Sequence, residues 1–557
     1  MCAVESNVRH TKIKSKHFLS LLIILLFMLL LHYPVLKIQG FMPKDDWKPL
    51  KLTIKEPLHP QIEKNRENFG CLNMNWEWRL GRFTPVYSIV QAGEAFLFQN
   101  SPGLWQIETL LIGLISAFLL YTILIKAGFD PWISLLGCLW FLSRGLDLWS
   151  EKQIQEELGL LFLFLSLFFI VLGARKKNSR KWDAAGLVFI FLAGLTKETF
   201  VFLIPALIIV KLYLSYSGDP GLSIRHTIKQ ERSFIIPAAL LFLIQAGVVY
   251  YVLHHGPYSQ GLVGKLSEFS FSKSFTMIIK EAPFLSYFLP ALGIIFLFSS
   301  LWKHRNIRNT ALLVLLFLIL WIAPQMYIFK NTGFTLHYFY PAVIGFIVLN
   351  CIGLKVLKDQ RSGAVRILYG MILVFSFLSV IHVFPRTRNY AEQKAAEANA
   401  YNQAKDYIIE KARADSSVLI VFNKPWWGMG ITFLVDLSRE KFYVPVYRDF
   451  AFDDTVDRNR SVKRQISAEL LSRYLLPLIP DHAAEIDVIF STYPGERSVR
   501  YLLSFQDRPW FKRKEWTIQV FKEHFKKRYF SLKNLISMDL SSEHAAVFTV
   551  LVRKRSS

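Results

Sequence analysis

The chain has 557 residues, of which 52% are apolar, and its mean hydropathy is +0.30. The apolar residues come in long runs, which argues against a soluble globular protein and predicts an α-helical polytopic membrane protein. Much of the net charge of +24 lies in short segments between these runs, where basic residues orient helices. Because the sequence also contains no base-reading module, we expect no nucleic-acid partner.

The first 17 residues are basic and precede an apolar run at 18–36. This run is long enough to cross a bilayer, and no small-residue cleavage site follows it. We therefore expect a retained first helix and a cytoplasmic N-terminus at 1–17.

About eleven apolar segments could cross the membrane, provided that the shorter ones are tilted or buried among neighbours. The run from 183 to 215 is too long for one crossing at about 1.5 Å per residue, so we expect the chain to turn at Lys197-Glu198. The predicted spans are 18–36, 104–125, 131–143, 157–173, 183–196, 199–215, 234–254, 286–301, 310–329, 340–354 and 367–384.

Basic residues between the spans predict the orientation of the chain. The basic segments 175–181, 211–232, 303–305 and 355–366 fall on the same side as the N-terminus, which makes that side cytoplasmic. An odd number of spans then places the C-terminal region outside. The absence of a eukaryotic retention tail and the few cysteines favour the inner membrane of a bacterium.

Two neighbouring carboxylates, Asp45 and Asp46, follow the first apolar run by about ten residues. Repulsion between two adjacent carboxylates raises the pKa of one of them, which suits that residue to take up and release a proton. An acidic turn in a solvated loop is the commoner role of such a dipeptide, so its surroundings decide between the two interpretations.

The first outer loop, 37–103, contains a stretch from Pro85 to Phe98 in which apolar residues recur at helical spacing. Since proline suits the first turn of a helix, we predict a short helix here, lying in the membrane interface. Arg79 and Arg82 stand just before it, and their guanidinium groups suit phosphate or carboxylate ligands.

Further charged residues stand at the ends of predicted spans, although a charge at membrane depth costs about 2.5–3.5 kcal/mol. Glu156 and Glu157 open the fourth span, and Lys197 and Glu198 form the expected turn. An ordinary interfacial turn would explain each pair alone. All of them fall on the predicted outer face together with the paired aspartates. There a basic group could bind a lipid phosphate while a carboxylate contacts a hydroxyl.

His337 and Tyr338 join this face at the start of the tenth span. A lone histidine beside a helix start is more often a packing residue than a catalyst. We predict no metal site at His254-His255, because no cysteine or carboxylate stands at ligand spacing around it.

After the last span the composition becomes polar, and strand and helix patterns alternate, which predicts a C-terminal extracytoplasmic α/β domain over 385–557. No Gly-rich phosphate loop opens any of its helices, so a nucleotide site is unsupported. The predicted helices are 386–409, 463–477 and 495–505, and the predicted strands are 417–422, 486–491, 516–520 and 546–553.

Taken in order, these motifs resemble the GT-C superfamily of integral-membrane glycosyltransferases, which includes protein O-mannosyltransferases and the aminoarabinose transferase of lipid A. The resemblance covers roughly residues 18–215 and extends weakly to 341. It rests on Asp45-Asp46, the stretch from Arg79 to Pro85, the stretch from Trp149 to Glu157, the turn from Leu195 to Glu198, and Tyr338 to Pro341.

The resemblance implies a GT-C-like transmembrane glycosyltransferase domain at 18–384 and an inverting, hexosyltransferase-like reaction. The donor would be a sugar on a polyprenyl phosphate or diphosphate, and the acceptor a hydroxyl of a lipid, glycan or protein outside the cytoplasm. Inversion needs a base behind the acceptor hydroxyl and charge support for the departing phosphate.

Carried over residue by residue, the resemblance makes Asp45 or Asp46 the catalytic base. The same two residues could ligate a divalent metal, although no cofactor is certain. The remaining candidates are substrate-binding residues: Arg79, Arg82 and Lys197 for the lipid phosphate, Glu156 or Glu157 as a second acid, and Glu198, His337 and Tyr338 nearby.

Two other interpretations remain open. A polytopic transporter or lipid flippase would carry charges deep within several spans and an internal repeat, and the sequence shows neither clearly. A polymerase or ligase of surface polysaccharide would share the chemistry proposed here and differ only in its acceptor.

Overall fold

The structure is a computed structural model, and it describes seventeen stretches of the chain. They are 2–38, 84–99, 101–144, 149, 155–175, 180–218, 223–255, 305–328, 340–359, 363–411, 418–422, 433, 437, 446–450, 488–491, 516–528 and 541–553.

Helices dominate the described residues up to 411. They are α1 (Cys2–His32), η1 (Tyr33–Lys37, a 3-10 helix), α2 (Pro85–Phe98), α3 (Pro102–Lys126), α4 (Pro131–Arg144), α5 (Gln155–Arg175), α6 (Arg180–Thr196), η2 (Glu198–Leu203, also 3-10), α7 (Ile204–Gly218), α8 (Ile224–Gln230), α9 (Arg232–His255), α10 (Arg305–Ile328), α11 (Tyr340–Lys358) and α12 (Gly363–Lys411).

Six helical segments of the described chain are long and apolar enough to cross a membrane. Several helices also leave large apolar side chains exposed, such as Leu26 on α1, Leu243 on α9 and Phe375 on α12. Exposed apolar faces of this kind are unfavourable in water and are matched by lipid. Length and surface together indicate an integral membrane protein.

Each predicted span that falls within the described residues is helical where it is described. The total of eleven spans is not confirmed: α4 and α6 are too short to be counted as crossings by length, and the described apolar parts of α10 and α11 count only as shorter apolar helices. The predicted span 286–301 lies outside the described residues.

The helices pack around aromatic side chains that α4, α5 and α11 contribute. The Phe141 ring lies 5.6 Å from the Trp149 ring and 5.3 Å from the Phe164 ring, centroid to centroid. The Tyr340 hydroxyl donates to the Phe141 carbonyl, and Trp321 Nε1 donates to the Pro341 carbonyl at 2.6 Å. The start of α11 is thereby tied to the end of α4 and to α10.

The chain reverses at Lys197-Glu198, as the length of the run predicts. Asp183 lies near the start of α6, and Lys211 lies in the middle of α7, 28 residues further on. A straight helix would hold residues this far apart at about 42 Å. Instead, Lys211 Nζ donates to Asp183 Oδ1 at 2.7 Å, so both residues lie at the same end of the bundle.

Lys211 is fully buried and belongs to a larger ionic cluster. Besides Asp183 it contacts Glu231 Oε2 at 3.4 Å, and Glu231 Oε1 accepts from the Ser215 hydroxyl at 2.7 Å. Because Glu231 lies between α8 and α9, the cluster links α6 and α7 to the next two helices. We call Lys211, Asp183, Glu231 and Ser215 the inner cluster, since this end carries the basic segments predicted to be cytoplasmic.

The last helix, α12, continues past the predicted domain boundary at 384/385 without interruption. Its alanines Ala391, Ala395 and Ala398 pack against Val35 and Ile38 at the end of η1. Beyond this contact α12 packs against the last two strands of the sheet. The predicted helix 386–409 is therefore an extension of the last span.

The described strands form one five-stranded sheet in the order β2-β1-β3-β5-β4. β1 pairs parallel with β2 and β3, whereas β5 pairs antiparallel with β3 and β4. The two strands predicted last are longer than the sequence pattern indicates, and the predicted helices 463–477 and 495–505 lie outside the described residues. The strands are β1 (Val418–Phe422), β2 (Val446–Phe450), β3 (Val488–Ser491), β4 (Trp516–Arg528) and β5 (Ser541–Arg553).

The inner cluster predicts a large effect of Lys211→Met. Removing the ammonium leaves Asp183 and Glu231 buried without their counter-charge, which should cost about 3–5 kcal/mol of stability. Thermal unfolding of the detergent-solubilised protein should show a clearly lower apparent Tm. The matched control is Lys411→Met, since Lys411 and its partner Glu410 are exposed, and it should leave Tm unchanged. Equal Tm values for the two variants would contradict this role of Lys211.

Candidate functional site

The candidate site lies at the opposite end of the bundle, where α5 begins and α6 ends. Lys197 Nζ forms a salt bridge with the Glu156 carboxylate, and both side chains are almost completely buried. Lys197 has extended backbone angles (φ −154°, ψ 133°) between α6 and η2, and this geometry projects it out of the helical register. Two buried charges need each other, because either one alone would carry the full desolvation penalty.

A glycine allows α5 and η2 to come close enough for this pair. Gly159 lies one turn below Glu156, and the ring of Phe200 lies one turn beyond Lys197. A Cβ atom on Gly159 would clash with the edge of the Phe200 ring, which is itself fully buried. The contact between Gly159 and Phe200 therefore underlies the ion pair.

The start of α2 reaches the same end of the bundle. Gln155, the first residue of α5, donates through Nε2 to Thr84 Oγ1 at 3.5 Å. Thr84 is the residue before Pro85, and α2 packs against α6 and α3. The short helix predicted from the sequence is thus present, with its first residue beside α5.

The end of α10 completes this part of the structure. Gln325, which is fully buried, donates through Nε2 to the Thr199 carbonyl at 3.1 Å. Thr199 belongs to η2 and follows Lys197 by two residues. A line of contacts thus crosses the end of the bundle through Thr84, Gln155, Glu156, Lys197, Thr199 and Gln325; we call it the polar line.

Two further carboxylates flank the polar line. Glu157 is 3% exposed and lies in the first turn of α5, where the helix dipole favours negative charge. Glu198 is half-buried and opens η2. The described part of the site therefore combines the Lys197 ammonium with the Glu156 carboxylate, and the carboxylates of Glu157 and Glu198 stand next to this pair in sequence.

The structure brings together two of the residues predicted for the site, Glu156 and Lys197, and the predicted residues Glu157 and Glu198 stand next to them in sequence. The other predicted residues lie outside the described part of the chain: Asp45, Asp46, Arg79, Arg82, His337 and Tyr338. The structure does describe residues near them in sequence. Before Asp45 stands Ile38, which packs on α12; after Arg82 stands Thr84 of the polar line; and after Tyr338 stands Tyr340 of the aromatic core.

Sequence reasoning did not identify Thr84, Gln155, Gly159 or Gln325 as parts of the site. Gln325 carried a usable signal, because an amide inside an apolar span is costly and therefore unusual. Gly159 carried none, since its role depends on a neighbour 41 residues away in sequence.

Within the described residues no three His, Cys, Asp or Glu side chains are grouped so that they could hold a metal ion. Asp45 and Asp46, the residues predicted as metal ligands, are outside that search. An apolar cavity lies between α3, α5, α7, α10 and α11, and it extends towards the inner end of the bundle, away from the polar line. Its lining includes Phe164, Tyr213 and Trp321.

Comparisons with known proteins assign no family to the chain. No protein-family profile matches it, and no curated protein sequence is significantly similar. Solved structures of an archaeal oligosaccharyltransferase align with most of the chain, but their low TM-scores and identities carry no conclusion about its fold or activity.

The apo oligosaccharyltransferase of Archaeoglobus fulgidus aligns at 11% identity over 86% of this chain and 69% of that chain, with a TM-score of 0.40. The same organism's AglB, in complex with an inhibitory peptide and a dolichol-phosphate, aligns at 12% identity over 86% and 69%, with a TM-score of 0.41. Its complex with Zn and sulfate aligns at 13% identity over 85% and 68%, with a TM-score of 0.38.

The tight contact beneath the ion pair predicts that Gly159→Ala is destabilising. The added methyl group must displace the buried Phe200 ring, and overpacking of this kind costs about 1–3 kcal/mol. The expected result is a lower Tm in detergent. Gly247→Ala on α9 is the matched control, since a Cβ atom there meets no atom within 4 Å and alanine favours helix. A stability of Gly159→Ala equal to that of Gly247→Ala would show that α5 and η2 are not closely packed.

Proposed function

We propose that the protein is an integral-membrane glycosyltransferase of the GT-C type. It transfers a sugar from a polyprenyl-phosphate donor to an acceptor hydroxyl at the membrane face where α5 begins. The observation that carries this proposal is the buried salt bridge between Glu156 and Lys197, flanked by Glu157 and Glu198. Buried charges at the end of a membrane helix bundle are costly, and they are kept mainly where they serve a function.

The chemistry assigns a role to each kind of charge at this face. The acceptor oxygen attacks the anomeric carbon while a carboxylate takes its proton, and the bond between that carbon and the phosphate oxygen breaks. The departing polyprenyl phosphate takes the bonding electron pair, so nearby cations stabilise it. We assign the base to Asp45 or Asp46 and the cations to Arg79, Arg82 and Lys197.

Lys197 has a second role as the counter-charge of Glu156. An ammonium group has three N–H donors, and the Glu156 carboxylate engages it from the α5 side. Glu156 therefore holds Lys197 in place. Glu156 or Glu157 is also the residue that we propose as the second acid. Thr84 supports the assignment of the two arginines, because it belongs to the polar line and follows Arg82 by two residues in sequence.

The partners follow from this assignment. They are a lipid-linked sugar donor and a lipid, glycan or protein acceptor, with Glu198, His337 and Tyr338 as further binding residues. We place the protein in a bacterial inner membrane with the N-terminus cytoplasmic, the C-terminal region outside, and any divalent metal at Asp45 and Asp46.

A transporter or lipid flippase is the second candidate, and the inner cluster favours it. Lys211, Asp183 and Glu231 form a buried ionic group at the opposite end of the bundle from Lys197. Ionic groups at both ends are a feature of pathways across a membrane. Movement of a labelled lipid phosphate across proteoliposomes without any glycosylated product would support this candidate.

The base assignment predicts the outcome of a glycan analysis. Deletion of the gene should remove one sugar unit from a surface glycan, lipid or protein, as measured by mass spectrometry. The wild-type gene should restore it, whereas the Asp45→Asn/Asp46→Asn double variant should restore less than about 1% of it, since general-base catalysis contributes 10²–10⁴-fold. The control Asp359→Asn, at an exposed position next to α11, should restore it fully. Full restoration by the double variant, at equal membrane levels, would refute this base.

The ion pair predicts a separation of stability from activity. Lys197→Met alone leaves Glu156 buried and unpaired, and should lower Tm by the equivalent of about 3–5 kcal/mol. The double variant Glu156→Gln/Lys197→Met removes both charges and should recover most of this stability. It should still fail to restore the missing sugar, because the cation for the departing phosphate is absent. Recovery of both Tm and glycosylation would give the pair a purely structural role.

A further inference from the structure

Gln325 belongs to the polar line, and the proposed reaction does not use its chemistry. It lies in the apolar helix α10, directly after Pro324, and its side chain is 0% exposed. A buried amide without hydrogen bonds costs about 1–3 kcal/mol per unsatisfied group. Nε2 avoids this cost by donating to the Thr199 carbonyl.

The oxygen of the same amide, in contrast to its nitrogen, makes no hydrogen bond to a described residue. Oε1 of Gln325 is buried, and it has no hydrogen-bond partner among the residues that the structure describes. The orientation of the amide follows from chemistry: the Thr199 carbonyl can only accept, so the NH₂ group must face it. The contact with Thr199 therefore holds Oε1 as a fixed acceptor beside η2.

The anchor of this acceptor lies close in sequence to the residue that we assign to the lipid phosphate. Thr199, the anchor of Gln325, follows Lys197 by two residues in the same short segment. An ionised phosphate has no hydrogen-bond donor, so it would be repelled by the carbonyl oxygen of an amide. A sugar hydroxyl is a donor, and in a lipid-linked sugar it is covalently attached to the phosphate.

We propose that Gln325 is a substrate-binding residue whose Oε1 accepts a hydrogen bond from a hydroxyl of the donor sugar, while Nε2 stays on the Thr199 carbonyl. This inference rests on the proposed function, because it takes the ligand beside Lys197 to be a sugar on a lipid phosphate. On this proposal, the Gln325 side chain lets the protein bind a glycosylated lipid phosphate more tightly than a bare lipid phosphate.

The chain contains a matched control for this residue. Gln245 on α9 is also buried, and its Nε2 donates to the Phe191 carbonyl at 3.0 Å. Its Oε1 lies 2.7 Å from the position that a Cβ atom would take on Gly194, so the α6 backbone covers it. Gln245→Met therefore removes the same groups as Gln325→Met from a side chain that packs on α6 and that the proposal does not assign to the sugar.

The test measures binding to the full-length protein in lipid nanodiscs. The probes are undecaprenyl phosphate and undecaprenyl-phosphate hexoses carrying glucose or mannose. Gln325→Met should weaken binding of the preferred hexose lipid roughly fivefold, the equivalent of one neutral hydrogen bond. It should leave binding of bare undecaprenyl phosphate unchanged, and Gln245→Met should change neither. Lys197→Met/Glu156→Gln should weaken both.

The outcomes separate this inference from the proposed function. If Gln325→Met changes neither lipid's affinity, or both equally, while the Lys197 variant loses both, the sugar contact is overturned and the proposed function stands. If the wild type binds none of the lipids, the proposed function fails and the inference fails with it.

A second measurement compares ligands on the wild-type protein first, and that comparison does not depend on the folding of a variant. Among monodeoxy analogues of the preferred hexose lipid, the one lacking the contacted hydroxyl should bind roughly fivefold more weakly than the parent. Gln325→Met should bind this analogue and the parent equally well. Equal binding of every analogue by the wild type would overturn the contact.

Discussion

The buried salt bridge between Glu156 and Lys197 is the constraint on which the candidate site depends. Each charge is hidden from water, so each is tolerable only while the other stays in place. This requirement fixes the start of α5 against the segment between α6 and η2. The absent side chain at Gly159 lets the two segments meet, because the Phe200 ring occupies the space that any larger residue would need.

The inner cluster applies the same physics at the other end of the bundle. Lys211 holds the start of α6 against the middle of α7, and Glu231 extends the link towards α9. The two ionic groups thus fasten both ends of the α5, α6 and α7 assembly, and apolar contacts fill the space between them. Apolar packing among membrane helices is weakly directional, so buried ion pairs are well suited to define which helix ends meet.

The polar line collects residues from four separated parts of the chain: the residue before α2, the start of α5, η2 and the end of α10. A hydroxyl-rich ligand with a phosphate needs cations and hydrogen-bond acceptors within a few ångströms of one another. The line offers Lys197 as the cation, and Gln325 as an acceptor held by its own amide nitrogen. This combination connects the proposed transfer reaction with the proposed sugar contact.

Hydropathy alone was sufficient to locate the apolar helices among the described residues, because a long apolar run has few stable alternatives in a membrane. The turn at Lys197-Glu198 also followed from length, and four of the five described strands followed from apolar runs bounded by polar residues, whereas β2 was not predicted. The sequence could not indicate that Lys197 pairs with Glu156, 41 residues earlier, when Glu198 stands next to it. The extended backbone at Lys197 and the Gly159 contact direct the ammonium towards α5, and both belong to the packed structure. The place of Gln325 beside Thr199 likewise depends on how α10 packs against η2, which no local pattern of residues encodes.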